Sequence, residues 1–181
     1  ILTSDNGPVV DDGYKDQAVE LLGNHKPAGI LRGGKYSSFE GGTRIVFITG
    51  WAGTIKPGIS DALFSHIDIP ASLAAIAGVP IPSGAAPDSR NQFDELIGRS
   101  KAGRDWIVEQ ASATRLALVR GSWKYIEPAE GQAIQTNTNT ELGTNKLPQL
   151  YNLQTDIGEK KNVAHEHTLI IKEMANLLEE I

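Results

Sequence analysis

Lys35 follows two glycines in Leu31-Arg32-Gly33-Gly34-Lys35, and the chain soon reads Glu40-Gly41-Gly42-Thr43-Arg44. Glycines let a backbone approach a ligand closely. The lysine and arginines supply positive charge for a phosphate, a sulfate or a carboxylate. The segment therefore reads as an anion-binding loop, with a solvated Lys35 as the plainer alternative. Arg32 and Arg44 can each pair with Glu40 or reach a ligand. Upstream, Asp5 and Asn6 stand in Ser4-Asp5-Asn6-Gly7. A carboxylate oxygen beside an amide oxygen suits a hard cation such as Ca²⁺ or Mg²⁺, whereas zinc prefers histidine or cysteine. Two such ligands do not fill a shell of roughly six to eight oxygens, and the same tripeptide also forms Asx-turns. His25, in Gly23-Asn24-His25-Lys26-Pro27, either donates to a leaving-group oxygen, lines a substrate pocket or lies on the surface. His66 precedes Asp68 as a helix-entry residue. His165 and His167 are two residues apart, a poor spacing for a shared metal on one helix face.

Other chemistries are excluded by composition and motif. The 181 residues contain no cysteine, which removes disulfides, thiolate metal sites and cysteine nucleophiles. No serine lies in a Gly-x-Ser-x-Gly elbow and no glycine-rich loop precedes a Lys-Ser or Lys-Thr pair. The net charge is −5, with no basic run, so nucleic acid is not an expected partner. No apolar run is long enough for a bilayer span. Hydrophobic residues make up 40% and charged residues 22%, as in ordinary globular domains. The opening Ile1-Leu2-Thr3-Ser4 reads as the interior of a fold, so the chain is expected to be a piece whose compartment signal lies upstream.

These residues need elements to position them. Ile1–Ser4 reads as a strand running into the Asn6-Gly7 turn, which is where open α/β sheets place ligands. A short helix is expected around Asp16–Leu22. Arg44–Thr49, rich in β-branched residues, reads as a buried strand. Asp68–Ala77 reads as a helix with Asp68 as N-cap, Pro70 in the first turn and Gly78 as the stop. Phe93–Ile97 predicts one helical turn. Trp106–Gln110, Thr114–Val119, Trp123–Ile126 and Gln149–Leu153 read as strands, with Gly121-Ser122 as a two-residue hairpin and residues 128–146 as a polar loop. Ile170, Met174, Leu177, Leu178 and Ile181 keep the spacing of an amphipathic helix. The expected architecture is α/β: parallel-sheet material over residues 1–100, then an α+β subdomain over 101–181 with about four antiparallel strands and the closing helix. The edges at Ile1–Ser4 and Arg44–Thr49 invite self-association if left open.

Taken together, Ser4-Asp5-Asn6-Gly7, Leu31–Lys35, Glu40–Arg44 and Ser65-His66-Ile67-Asp68 resemble the C-terminal part of a type I sulfatase of the arylsulfatase family. The tail agrees: Gln149-Leu150-Tyr151-Asn152-Leu153, Asp156 and Glu159–Asn162 are similar to that family's closing "LYDL-x-x-DP-x-E-x-x-N" stretch. The resemblance implies an alkaline-phosphatase-like core, hydrolysis of sulfate esters of aryl or carbohydrate compounds, and a periplasmic or extracellular location. It implies that Asp5 and Asn6 bind Ca²⁺ or Mg²⁺, that Lys35 contacts the sulfate and neutralises charge in the transition state, and that His25 lies near the substrate.

The family's nucleophile is a formylglycine made within a Cys/Ser-x-Pro-Ser-Arg motif, and this chain carries no such motif. It would thus hold one wall of the site and be inactive alone, the formylglycine and most of the cation shell being supplied upstream. Alternatives are a phosphodiesterase or phosphonate hydrolase of the same superfamily, and a non-catalytic carbohydrate-contact or packing module built on the strand-rich half.

Overall fold

A computed structural model describes all residues except Ala113 and Thr114. Two compact units emerge. One comprises Ile1–Leu2 and Phe47–Ile107, the other Thr3–Val46 and Val108–Ile181. In chain order, the elements of the first half are β1 (Leu2–Thr3), α1 (Ala18–Leu21), α2 (Glu40–Thr43), β2 (Phe47–Ile48), α3 (Ile69–Ala77) and α4 (Phe93–Leu96). The second half holds β3 (Trp106–Gln110), β4 (Leu116–Arg120), β5 (Trp123–Ile126), β6 (Ile134–Gln135), β7 (Thr140–Glu141), β8 (Gln149–Asn152) and α5 (Thr168–Glu180).

The larger unit is organised by a four-stranded sheet in the order β3-β4-β5-β8, with β4–β5 and β5–β8 antiparallel. The Gly121-Ser122 turn joins Arg120 to its partner Trp123 as the hairpin signal requires. Ala117, Leu118, Val119, Tyr125, Ile126, Leu150 and Tyr151 are buried, which makes the middle of this sheet the core. Helix α5 contributes Met174, 2% exposed, while Ile181 at its end is 58% exposed. The antiparallel sheet and closing amphipathic helix are thus as expected. Thr114, the expected start of β4, lies outside the described residues. The polar segment 128–146 is not all loop, because β6 and β7 pair antiparallel as Ile134 with Glu141 and Gln135 with Thr140. Its Asn/Thr-rich composition hid a short hairpin that lacks an apolar alternation.

In the smaller unit, α3 ends at Gly78, with φ 66°, as expected. Its first residues differ from the expectation at Asp68, whose side chain makes no N-cap bond to α3. Instead Asp68 closes a capping box with Ser65 around a 3₁₀ turn, His66–Asp68. The same Oδ2 that takes the Ser65 N–H also accepts the Arg104 Nε–H at 2.6 Å, and Oδ1 accepts the Arg90 N–H at 2.9 Å. A fully buried carboxylate takes the strongest donor available, and the guanidinium fork outcompetes a cap. The stretch Arg44–Thr49 is also not a buried strand: only Phe47–Ile48 has strand geometry, and Val46 and Ile48 are 55% and 53% exposed. A β-branched run is buried only where other elements cover it.

Candidate functional site

The two loops singled out by sequence are joined through their backbones in the larger unit. The Gly7 N–H donates to the Gly42 carbonyl at 2.8 Å, and the Lys35 N–H donates to the Pro8 carbonyl at 2.9 Å. The glycines make this approach feasible. A Cβ at Gly34 would stand 2.6 Å from the Pro8 oxygen, and one at Gly7 would collide with the Gly41 carbonyl. The Asp5-Asn6 turn and the Lys35 segment are therefore neighbouring strips of main chain.

Asp5 is exposed, and its Oδ1 accepts the Asn6 N–H at 3.0 Å. Asn6 turns its amide nitrogen onto the Gly7 carbonyl at 2.8 Å, which leaves its Oδ1 as an acceptor pointing elsewhere. Two hard oxygens on consecutive residues are of the type that Ca²⁺ or Mg²⁺ takes as part of a shell. Among the described residues no cluster of three or more histidine or acidic side chains stands ready to hold a metal. The donors present suit the cation but do not enclose it.

Lys35 is directed by its surroundings. Its Nζ lies 2.6 Å from Asp12 Oδ2, and the Tyr36 hydroxyl donates to Asp12 Oδ1 at 2.8 Å. The side chains of Lys35 and Asp12 are 28% and 26% exposed, so solvent reaches both. The hydrogen bond from Lys35 is the main reason the Asp12 carboxyl lies below its ordinary range, and the same bond holds the ammonium above its own. Tyr36 sits at φ 79°, a left-handed conformation rare for a bulky residue, and its carbonyl accepts the Ser112 N–H at 3.2 Å.

His25 is exposed, and its backbone N–H closes a turn on the Leu22 carbonyl at 3.1 Å. Of the two arginines, Arg44 does pair with Glu40, whereas Arg32 turns away from it. Arg32 forks onto both oxygens of Glu141 at 2.8 and 2.9 Å, donates to the Glu159 carbonyl at 2.8 Å, and covers the Phe39 ring at 4.0 Å. The partners of its side-chain hydrogen bonds lie more than a hundred residues away, beyond the reach of any local spacing rule. His66 lies at the helix entry, as expected, 5.8 Å from the Phe47 ring between centroids. His167 packs on Trp123 at 5.0 Å instead of facing His165.

Beneath the anion loop lies a charged cluster that sequence spacing did not single out. Lys124, fully buried on β5, reaches Glu109 at 2.8 Å, Glu40 at 2.9 Å and Glu159 at 3.9 Å, with the Thr43 hydroxyl at 3.1 Å. Glu159 also accepts the Glu40 N–H at 2.6 Å, which ties the start of α2 to the tail motif. Burial pushes the Glu159 carboxyl up to about 7, helped by the charges of Glu40 and Glu109 and opposed by Lys124. Glu40 moves the other way: burial alone would raise it, but Lys124 and Arg44 together hold it below the ordinary value. A lysine inside the strand Trp-Lys-Tyr-Ile was the one available sequence signal, since a charge in an apolar strand demands a buried partner.

Comparison with known proteins gives this geometry a family. The model of the Sulfatase family matches residues 1–79, which include both loops and α3. N-acetylgalactosamine-6-O-sulfatase of Bacteroides thetaiotaomicron is 52% identical over 181 residues, covering 100% of this chain and 35% of the relative. Human arylsulfatase A is 29% identical over 175 residues, covering 90% of this chain and 32% of the relative. A solved structure from work on glycosaminoglycan metabolism by Bacteroides thetaiotaomicron superposes with a TM-score of 0.94 at 52% identity, over 98% of this chain and 37% of that one. A sulfatase from Pseudoalteromonas sp. superposes with a TM-score of 0.71 at 24% identity over 98% of this chain, which speaks for the fold alone. The chain belongs to the sulfatase family, with the alkaline-phosphatase-like fold of that family. It spans about a third of the length of the curated relatives it matches.

Proposed function

We propose that this chain is the C-terminal portion of a sulfatase that releases sulfate from a sulfated carbohydrate, and that it supplies one wall of the active site. The backbone pairing of the Asp5-Asn6 turn with the Lys35 loop carries this reading, because it makes the main chain that bears two hard oxygen donors a neighbour of the main chain that bears Lys35. Asp5 and Asn6 would hold Ca²⁺ or Mg²⁺ together with residues from the rest of the protein; when bound, such an ion polarises sulfate oxygens. Lys35 binds the sulfate group and opposes the negative charge that grows as the ester bond breaks. The family's formylglycine nucleophile would come from outside this chain. His25 is assigned to the substrate side of the site on resemblance alone.

The 52% identity to a sulfatase named for N-acetylgalactosamine-6-O-sulfate supports a 6-O-sulfated amino sugar as the substrate class. The test is an assay of the full-length protein in the presence of Ca²⁺ or Mg²⁺. Release of sulfate from 6-O-sulfated N-acetylgalactosamine is expected. Cleavage of phosphate diesters with no sulfate released from any sugar or aryl sulfate overturns the proposal.

A further inference from the structure

We propose that Asp12 and Tyr36 are positioning residues for Lys35: Asp12 anchors the ammonium through one oxygen while Tyr36 fixes Asp12 through the other. The proposal rests on the reading of Lys35 as the sulfate-contacting group.

Three observations carry it. First, both carboxylate oxygens of Asp12 are engaged, Oδ2 by Lys35 at 2.6 Å and Oδ1 by Tyr36 at 2.8 Å, so the carboxylate cannot rotate without losing a bond. Second, the neighbouring Asp11 spends its Oδ1 on the Gly13 N–H at 3.0 Å, in its own turn. Of the adjacent aspartates, it is Asp12 that serves the lysine. Third, Tyr36 is itself held, in a left-handed conformation at φ 79° with its carbonyl bonded to Ser112. A lysine has three N–H donors. Asp12 takes one, and solvent, and hence an anion, still reaches the side chain.

A flexible four-carbon stem leaves an unanchored ammonium spread over several rotamers. Anchoring it removes that spread before substrate arrives, which is the kind of preorganisation that electrostatic catalysis needs. The titratable groups acting on Lys35 are Asp12 and Tyr36, and their combined effect favours the charged lysine. A carboxylate so close also weakens the attraction of the lysine for an anion in the ground state. Losing it should therefore harm turnover more than binding.

The experiment compares Asp12→Asn, Asp12→Glu and Tyr36→Phe in the full-length protein, with 6-O-sulfated N-acetylgalactosamine as substrate and inorganic sulfate as inhibitor. Asp12→Asn is expected to lower kcat about 10- to 100-fold, to leave inhibition by sulfate as strong or stronger, and to move the alkaline limb of the kcat/KM profile to lower pH. Asp12→Glu recovers part of the loss, and Tyr36→Phe gives a smaller loss in the same direction, with unfolding midpoints near wild type. Independently of substrate, reductive methylation of Lys35 read by mass spectrometry becomes faster in Asp12→Asn. Should Asp12→Asn fail to fold, Tyr36→Phe makes the same comparison. Unchanged Lys35 reactivity, or unchanged kcat with an unshifted alkaline limb, overturns the assignment of Asp12. A wild type that releases no sulfate while the reactivity shift is present overturns the functional reading alone.

Discussion

Two lysines of the larger unit are both gripped by carboxylates, yet they do different work. Lys35 has one acidic partner, Asp12, and remains 28% exposed. Lys124 has Glu40, Glu109 and Glu159 around it and is fully buried. For Lys124, desolvation disfavours the ammonium, and three carboxylates reverse that penalty and hold it well above its ordinary range. The ammonium is closed off from solvent, so its charge is spent on joining β5 to α2 and the tail. For Lys35 the bond to Asp12 outweighs desolvation, and solvent still reaches the side chain. A cation near a glycine-rich loop identifies an anion site only when solvent, and hence substrate, can still reach it.

The comparison breaks most clearly if each lysine is neutralised in turn. Lys124→Met removes the cation shared by two buried carboxylates, Glu40 and Glu159, and a partly buried one, Glu109. Breaking a buried ionic group from one side costs about 3–5 kcal/mol, so urea unfolding should show a large loss of stability whatever the activity of the remaining folded protein. Lys35→Met in the full-length protein should do the reverse, lowering kcat for sulfate release by roughly 10²–10³-fold, the loss expected for one preorganised donor, with the unfolding midpoint near wild type. A Lys35→Met protein that keeps its turnover, or a Lys124→Met protein as stable as wild type, would erase the distinction.

The same comparison explains what was legible in the sequence. Gly34-Lys35 and Asp5-Asn6-Gly7 could be found because their chemistry is local: a turn-forming amide, a glycine that admits a carbonyl, a cation beside it. Helix α5 could be read from periodicity, and β4–β5 from the Gly121-Ser122 turn. Asp12 could not be assigned, because nothing in a Gly-, Pro- and Asp-rich segment says which carboxylate will meet a lysine 23 residues on. The Lys124 cluster draws on Glu40, Glu109 and Glu159, which only tertiary packing brings together. The exposure of Val46 and Ile48 was hidden for a related reason, since composition reports what a strand can bury and not what covers it.

Glu159 sharpens the comparison through pH. With Lys124 and Arg44 charged, Glu40, Glu109 and Glu159 give the buried cluster one negative charge in excess. Glu159 Oε1 makes no hydrogen bond among the described residues. Burial raises its carboxyl to about 7, against 4.5 for the ordinary group, so it takes up a proton near neutrality. A raised carboxyl binds its proton more tightly in the folded than in the unfolded chain. Its contribution is fully present below pH 4.5 and is lost as pH rises to about 7. At 1.36 kcal/mol per unit, the loss across that window is about 3 kcal/mol. Glu40, held below its ordinary value, has the opposite sign and acts in a lower window: its stabilisation is complete above pH 4.5 and lost as pH falls through its folded pKa. The Glu159→Gln variant keeps an oxygen to accept the Glu40 N–H but has no proton to exchange. Its urea-unfolding free energy should therefore change less than that of wild type between pH 4.5 and 7, with the two proteins diverging most at the alkaline end, where the wild-type cluster must carry its excess charge. Parallel pH dependences would show that the buried cluster shares its proton elsewhere, and Lys124 would then be balanced by a carboxylate other than Glu159.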